Sequence, residues 1–552
     1  MKLPVVISTV FIALLAAAPG AQACTIIAAG KLATTDGSVL VSQTDTGQDS
    51  RIYVVQGREF LEGEMAPVYF GIQDATNALE DDGEVLGHIP QARRTFTYFH
   101  SAYSHINEHQ LAIAESTTSQ RAELVVTKDT GEQIMTIEQA MIFALQRYTK
   151  AREAAAFIGE LMTTYGFLPS SGDGSEALVI GDPDEAWVFE VFGVGPGWTR
   201  DGGKPGAIWA AQRIPDDHAV MIPNYSIIEQ IDPNDVDRFM VSDNYMQEAI
   251  DRGWYDPASG KPFVWQEAYS ELPGEWATGR FWLFHTEYAP SLRDWPNRTL
   301  DGEVFKGLNQ YFQVVEPVSL YPFSIQPERK FTVQEIMAFQ RSVFEGTIYD
   351  ITAQPQWLVP GRDDEGNFDG RYVKSPLATP FPGSKLRELL QLTHRRPVAR
   401  HRGHSGMIAQ LRDWLPDPIG GVYWIFIDNP YIGPYVPMYA GNLSTHESYQ
   451  IYDPENYDER SARWAFDFVD NLARLEFQSA IEDIRAVREP FEQAIFEEQA
   501  SVEKEALARY EQDPQAAREY LTEWSNGLMQ KATESYVGLR NQLIVNYSNN
   551  RE

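Results

Sequence analysis

Cysteine is all but missing: the 552 residues hold one, Cys24. No disulfide can form within such a chain, so packing alone must hold its core. Positive charge is scarce as well. Lys and Arg number 45 against 78 Asp and Glu, a formal net charge of −33. That balance argues against nucleic acid or an anionic membrane as a partner, and it names no substrate. Beyond the first twenty residues no apolar run approaches the length of a bilayer span, so stable membrane insertion is not expected. Internal repeats, low-complexity tracts and clear linkers are lacking too. So are a glycine-rich phosphate loop, a dinucleotide fingerprint and a complete G-x-S-x-G elbow, and no cofactor is expected.

What is present can fill a large core. Hydrophobic residues make up 43%, with 13 Trp, 26 Tyr and 28 Phe, which excludes disorder on a large scale. The N-terminus has the form of an export signal over residues 1–23. Lys2 gives a positive end, Val5 to Ala18 an apolar run, Pro19 and Gly20 a break, and Ala21 and Ala23 the small-x-small cleavage pattern. Cutting by a signal peptidase would release a periplasmic or extracellular protein whose first, exposed residue is Cys24. A lipoprotein signal also ends before a cysteine, and acylation there would make an anchored binding protein without catalysis. Such signals usually carry Leu three residues earlier, where this chain has Ala21.

An N-terminal cysteine carries nucleophile and base on one residue. Its α-amine has a pKa of about 7.7–8.0 and its thiol one of about 8.5. The amine can therefore take the thiol proton near neutral pH and return it to a leaving nitrogen.

Two nearly all-apolar runs, Thr25 to Gly30 and Ser38 to Ser42, flank Asp36-Gly37 and read as paired, buried strands. Cys24 then stands at the open end of a central strand. Further strands are expected at Glu123 to Thr127 and Ala177 to Gly181, the latter turning at Asp182-Pro183 into Ala186 to Phe192. Thr136 with Gln139 predicts a helix running to about Thr164, and Thr332 with Glu335 one running to about Glu345. The Pro- and Gly-rich stretch from Pro355 to Pro382 reads as loop. From Ser461 to about Asn546 the pattern is helical, broken at Asp513-Pro514. Residues 24–460 thus form one domain, with 461–552 an acidic helical flank that would also suit a homo-oligomer.

A set of segments resembles the dipeptidase A-like family of N-terminal-nucleophile hydrolases. These are Cys24-Thr25 with Asp36 to Ser42, Ile106 to Thr117, Glu185 to Glu190, Ala211 to Asp216, Tyr349-Asp350, Trp414 to Pro416, Gly420-Gly421, Tyr435 to Gly441 and Ser461 to Trp464. The resemblance implies an α+β fold, an αββα four-layer sandwich with a helical C-terminal extension. It also implies amide hydrolysis of dipeptides through a thioester on Cys24. More distant relatives, penicillin V acylase and bile salt hydrolase, keep acyl-amide substrates open. By the same resemblance, Asp45 orients the nucleophile and its amine. Asn224 donates to the oxyanion, Arg280 steadies the site, and Asn107 and Glu115 line it for substrate. Gln43 departs from the Arg or His that relatives hold there.

One motif points elsewhere. His105-Ile106-Asn107-Glu108-His109 has the H-x-x-E-H form of inverted zinc peptidases, and on a helix both histidines would share a face with Glu108 as base. The alternation from Leu111 to Glu115 reads as strand instead. His401 and His404 stand in an Arg-rich loop and read as solvated.

Overall fold

Two antiparallel sheets carry the molecule, and one of them starts at Cys24. The computed structural model describes residues 24–46, 49–72, 83–170, 172, 174–271, 275–291, 298–300, 303–305, 321–401 and 405–548. The expected export signal, residues 1–23, lies outside them, as does His404.

The strands that matter are β1 (Thr25–Ala29), β2 (Val39–Asp45), β3 (Ala112–Thr118), β4 (Ser175–Gly181), β5 (Ala186–Phe192), β6 (Ile208–Ile214), β7 (Ala219–Ile222), β8 (Phe239–Val241), β9 (Ser405–Leu411), β10 (Val422–Ile427) and β11 (Val436–Tyr439). One sheet runs β7-β1-β2-β9-β10-β11 and the other β8-β6-β5-β4-β3. Their facing sides share one core, in which Ile26 and Val41 join Ala177, Val188 and Ala210. Strand alternation sends Trp187, Phe189 and Val191 to the opposite side, into a second core with two helices, α1 (Ile137–Arg147) and α2 (Ala151–Tyr165). On the six-stranded sheet lie α3 (Glu275–Tyr288), α4 (Val333–Gln340), α5 (Ala462–Ala473), α6 (Phe477–Tyr510) and α7 (Pro514–Tyr547). The architecture is therefore α+β, as expected, and no described helix is long and apolar enough to cross a membrane.

Most expected elements form. The first two strands pair antiparallel and are buried throughout, and β4 and β5 make the expected hairpin. The helical flank breaks where Asp513 caps α7, its side chain accepting from the Gln515 amide. Its helices pack on their own chain, α7 against β11 and α6 against α7.

Four expectations are corrected. Residues 123–127 are not a strand, because the Leu124 and Val125 amides turn back on Arg121 and Ala122. The helix from Thr136 is two helices. Its proposed capping box does not close, since the Thr136 side chain makes no cap and Gln139 accepts from the Tyr69 amide instead. The break at Tyr148 to Lys150 is held by Asn107, whose amide takes the Leu145 and Tyr148 carbonyls, and by Asp182, which caps the Ala151 amide. At Thr332 the cap does form, on the Glu335 amide, but the helix stops at Gln340. Finally, the stretch expected as loop contains a hairpin, Leu358–Arg362 with Phe368–Lys374.

Candidate functional site

Strand register brings the site together. Thr25 pairs with Thr44 on one side of β1, and Ile26 pairs with Ile222 on the other. Continuing both ladders to the end of β1 sets Cys24 across from Asp45 and across from Asn224. Three neighbouring strand ends thus deliver thiol, carboxylate and amide to one point.

Cys24 is fully buried rather than exposed. Its Sγ lies 3.3 Å from Asp45 Oδ1 and 3.8 Å from Glu115 Oε2. Burial and the neighbouring carboxylates Glu115 and Asp45 push the thiol well above its ordinary range, so it holds its proton in this environment. Glu115 is also buried, and Glu176 lies beside it on β4. Burial raises both carboxyls, and Glu176 raises Glu115 further, so the pair keeps a proton at neutral pH. Neither Glu176 oxygen meets a donor at hydrogen-bond geometry. The Tyr103 phenol is pushed up by burial and by Glu115, Asp45 and Glu176, with Glu138 beside them. Cys24, Asp45 and Glu115 each offer a ligand atom within 4.8 Å of the others, close enough to surround one small cation.

Gln43 ties this cluster down. Its Oε1 accepts from the Glu115 amide at 2.7 Å and its Nε2 donates to Glu115 Oε2 at 3.3 Å. The residue that departs from the family pattern is therefore inside the site, as a neutral clamp on Glu115. Gly406 allows the close approach beside it, since a Cβ there would come within 2.2 Å of the Phe426 ring and 2.6 Å of the Gln43 carbonyl.

On the other flank Arg280, fully buried in α3, binds both strand ends. It donates to the Cys24 carbonyl at 2.5 Å, Thr25 Oγ1 at 2.8 Å, the Pro223 carbonyl at 2.7 Å and Asn224 Oδ1 at 3.0 Å. Arg396 donates to the same Asn224 oxygen at 3.0 Å. Two guanidiniums on Oδ1 fix which way the Asn224 amide points. Its Nδ2 then donates to the Thr117 carbonyl at 2.8 Å, and a second N–H remains on that nitrogen. Asn224 has a φ of 61°, left-handed backbone that costs on the order of 1–3 kcal/mol and is commonest where a side chain must be aimed.

Of the residues expected at the site, Cys24, Asp45, Glu115, Asn224 and Arg280 meet. Asn107 does not belong with them. Its amide hydrogens go to the Leu145 and Tyr148 carbonyls and its oxygen to the His109 and Leu111 amides, leaving no polar group for a substrate. The zinc arrangement is not built either. Residues 105–109 are bridge and turn rather than helix. His105 Nδ1 bonds Tyr423, His109 bonds Asp417, and Glu108 pairs with Arg518. Burial lowers His105 to about 3. Among the described residues neither histidine joins a group of three candidate ligands.

Sequence reasoning missed Glu176 and Arg396. A charge inside the apolar run Ala177 to Gly181 and its preceding residues, and a basic run in so acidic a chain, were the available signals.

A family model for peptidase family C69 matches residues 23–490. The chain belongs to peptidase family C69. Among curated relatives, it is 23% identical over 455 residues to a "Probable dipeptidase" of Latilactobacillus sakei, covering 80% of this chain and 79% of that one. It is 25% identical to "Probable dipeptidase B" of Lactococcus lactis, with 78% of each chain covered. A "Probable dipeptidase" of Salmonella dublin is 24% identical, over 76% of this chain and 81% of that one. Membership of this family makes the protein a hydrolase of the peptidase class.

Proposed function

We propose that this C69 peptidase is an exported cysteine dipeptidase whose nucleophile is Cys24, unmasked when signal peptidase cuts after Ala23. The observation that carries the reading is the meeting of Cys24, Asp45, Asn224 and Arg280 at three register-matched strand ends in a chain of this family. The two facing sheets with outer helices support an N-terminal-nucleophile sandwich as its scaffold.

Maturation supplies what the site needs. As long as a residue precedes Cys24 its nitrogen is a neutral amide, and burial with Glu115, Asp45 and Glu176 holds the thiol protonated. Cleavage creates an α-amine about 3–4 Å from Sγ, fixed by the covalent geometry of one residue, and this amine takes the thiol proton, so that thiolate and α-ammonium form together. That ammonium is what the Asp45 and Glu115 carboxylates can surround, and it favours the thiolate. Sγ then attacks the peptide carbonyl carbon, and the oxyanion takes the second N–H of Asn224. The C–N bond breaks, the α-ammonium proton goes to the leaving amine, and water hydrolyses the thioester.

The test compares a chain beginning at Cys24 with one that keeps Ala23, both verified by intact mass. The first should hydrolyse dialanine and the second should not. Equal rates would remove the N-terminal amine from the mechanism, and acyl chains on Cys24 of the exported protein would make it an anchor instead.

A further inference from the structure

Next to Asn224, through Arg396, lies a cavity of about 470 Å³ walled by Trp276, the Pro380 to Arg387 stretch and the His394 to His401 segment. Arg387, Arg396, Arg400, His394 and His401 line it, and no Asp or Glu does among the described residues. In a chain of net charge −33 this is a local reversal of sign. Its field is felt within the cavity: His394 is lowered to about 4 by burial and then by Arg387, Arg400, Arg395 and Arg396. The cavity is joined to the site through Arg396, which donates to Asn224 Oδ1 at 3.0 Å, and through Trp276, whose carbonyl accepts from Arg280 Nε at 2.9 Å.

We propose that this cavity receives the free C-terminal carboxylate of the peptide, with Arg387, Arg396 and Arg400 setting the preference for very short substrates. The inference rests on the hydrolase reading of Cys24. In a dipeptide the terminal carboxyl carbon is three bonds from the scissile carbonyl carbon, about 3–4 Å away. A carbonyl held at the Asn224 amide therefore has its carboxylate within reach of Arg396, which contacts that same amide. Each added residue moves the carboxylate outward by up to about 3.5 Å and takes it off this anchor. Guanidinium forks match a carboxylate in both charge and geometry.

Binding to a Cys24→Ala chain that begins at residue 24 tests this by calorimetry without turnover. Dialanine should bind at least about 10-fold more tightly than dialanine amide, and Arg387→Gln with Arg400→Gln should cut that difference by more than half, Arg396 remaining. Neither arginine bonds Asn224, so the oxyanion amide stays in place. Equal binding of acid and amide would overturn the proposal. So would a preference undiminished in the double variant, or binding of neither peptide. If alanyl-glutamate α-amide binds as tightly as dialanine, the pocket reads an acidic side chain and the terminal-carboxylate assignment falls. Turnover of dialanine by the unmutated enzyme is measured alongside. Absence of turnover with the acid–amide difference intact would sink the hydrolase reading and leave the pocket standing.

Discussion

Glu190 and Glu176 are buried glutamates on neighbouring strands, one register step apart, and their surroundings are opposite. Ala177 pairs with Glu190, so Glu176 falls on the next position and turns to the other side of the sheet. Glu190 meets four donors: the Ile227 amide at 2.7 Å, the Ile228 amide at 3.2 Å, Trp265 Nε1 at 2.7 Å and the Ser226 hydroxyl. Glu176 meets none at bonding geometry and shares its burial with Glu115 beside the nucleophile. A buried acid that serves the fold is surrounded by donors, as Glu492 is by the two-pronged Arg341. Near Cys24, Glu115 has Gln43 and Thr117 as donors, yet it, Asp45 and Glu176 are clustered against one another, an arrangement that destabilises the charged state until a cation arrives.

Four measurements sharpen or break this contrast. The largest effect is expected at the nucleophile. Cys24→Ala should remove dipeptide turnover altogether while the thermal midpoint stays within a few degrees, and turnover in that variant would refute the assignment. Next, Asn224→Ala should lower kcat by roughly 10²–10³ with little change in KM, as for loss of an oxyanion donor. A change in KM alone would make Asn224 a binding residue.

On the structural side, Glu190→Gln turns an N–H toward donors and should cost about 1–3 kcal/mol by denaturant unfolding, with activity per folded molecule unchanged. Unchanged stability would erase the distinction between the two glutamates. The smallest effect is a slope. Glu176 is raised from 4.5 to about 8 in the fold, so the native state binds the extra proton between those values. Stability from this group is complete below about 4.5 and is lost as pH rises through about 8. Glu176→Gln should flatten that decline in melting temperature between pH 5 and 8. An equally steep decline in the variant would place the titration elsewhere.

The way the two glutamates diverge also marks how far the sequence could be read. The buried strand pair after Cys24, the β4–β5 hairpin and the α7 start at Asp513 were legible, because continuous apolar runs, turn signals and cap chemistry are local. The break between α1 and α2 was not, because it is set by Asn107, 38 residues before the first carbonyl it captures. The same distance effect misassigned Asn107, which looked like a site residue and is a helix stop.

By itself the sequence singled out Cys24, and it determined the absence of any internal disulfide, the acidic balance and the membership of the chain in its family. It also contained the partners Asp45, Asn224 and Arg280 as candidates. Only the tertiary structure decided that Cys24 is buried, that Gln43 clamps Glu115, that Glu176 lies beside Glu115, and that Arg396 holds Asn224. The reason is physical. Strand patterns and caps depend on residues a few positions apart, whereas a pKa or a pocket depends on charges brought from β2, β3, β4, α3 and the 394–401 segment into one low-dielectric volume, and their sum exists only in the folded chain.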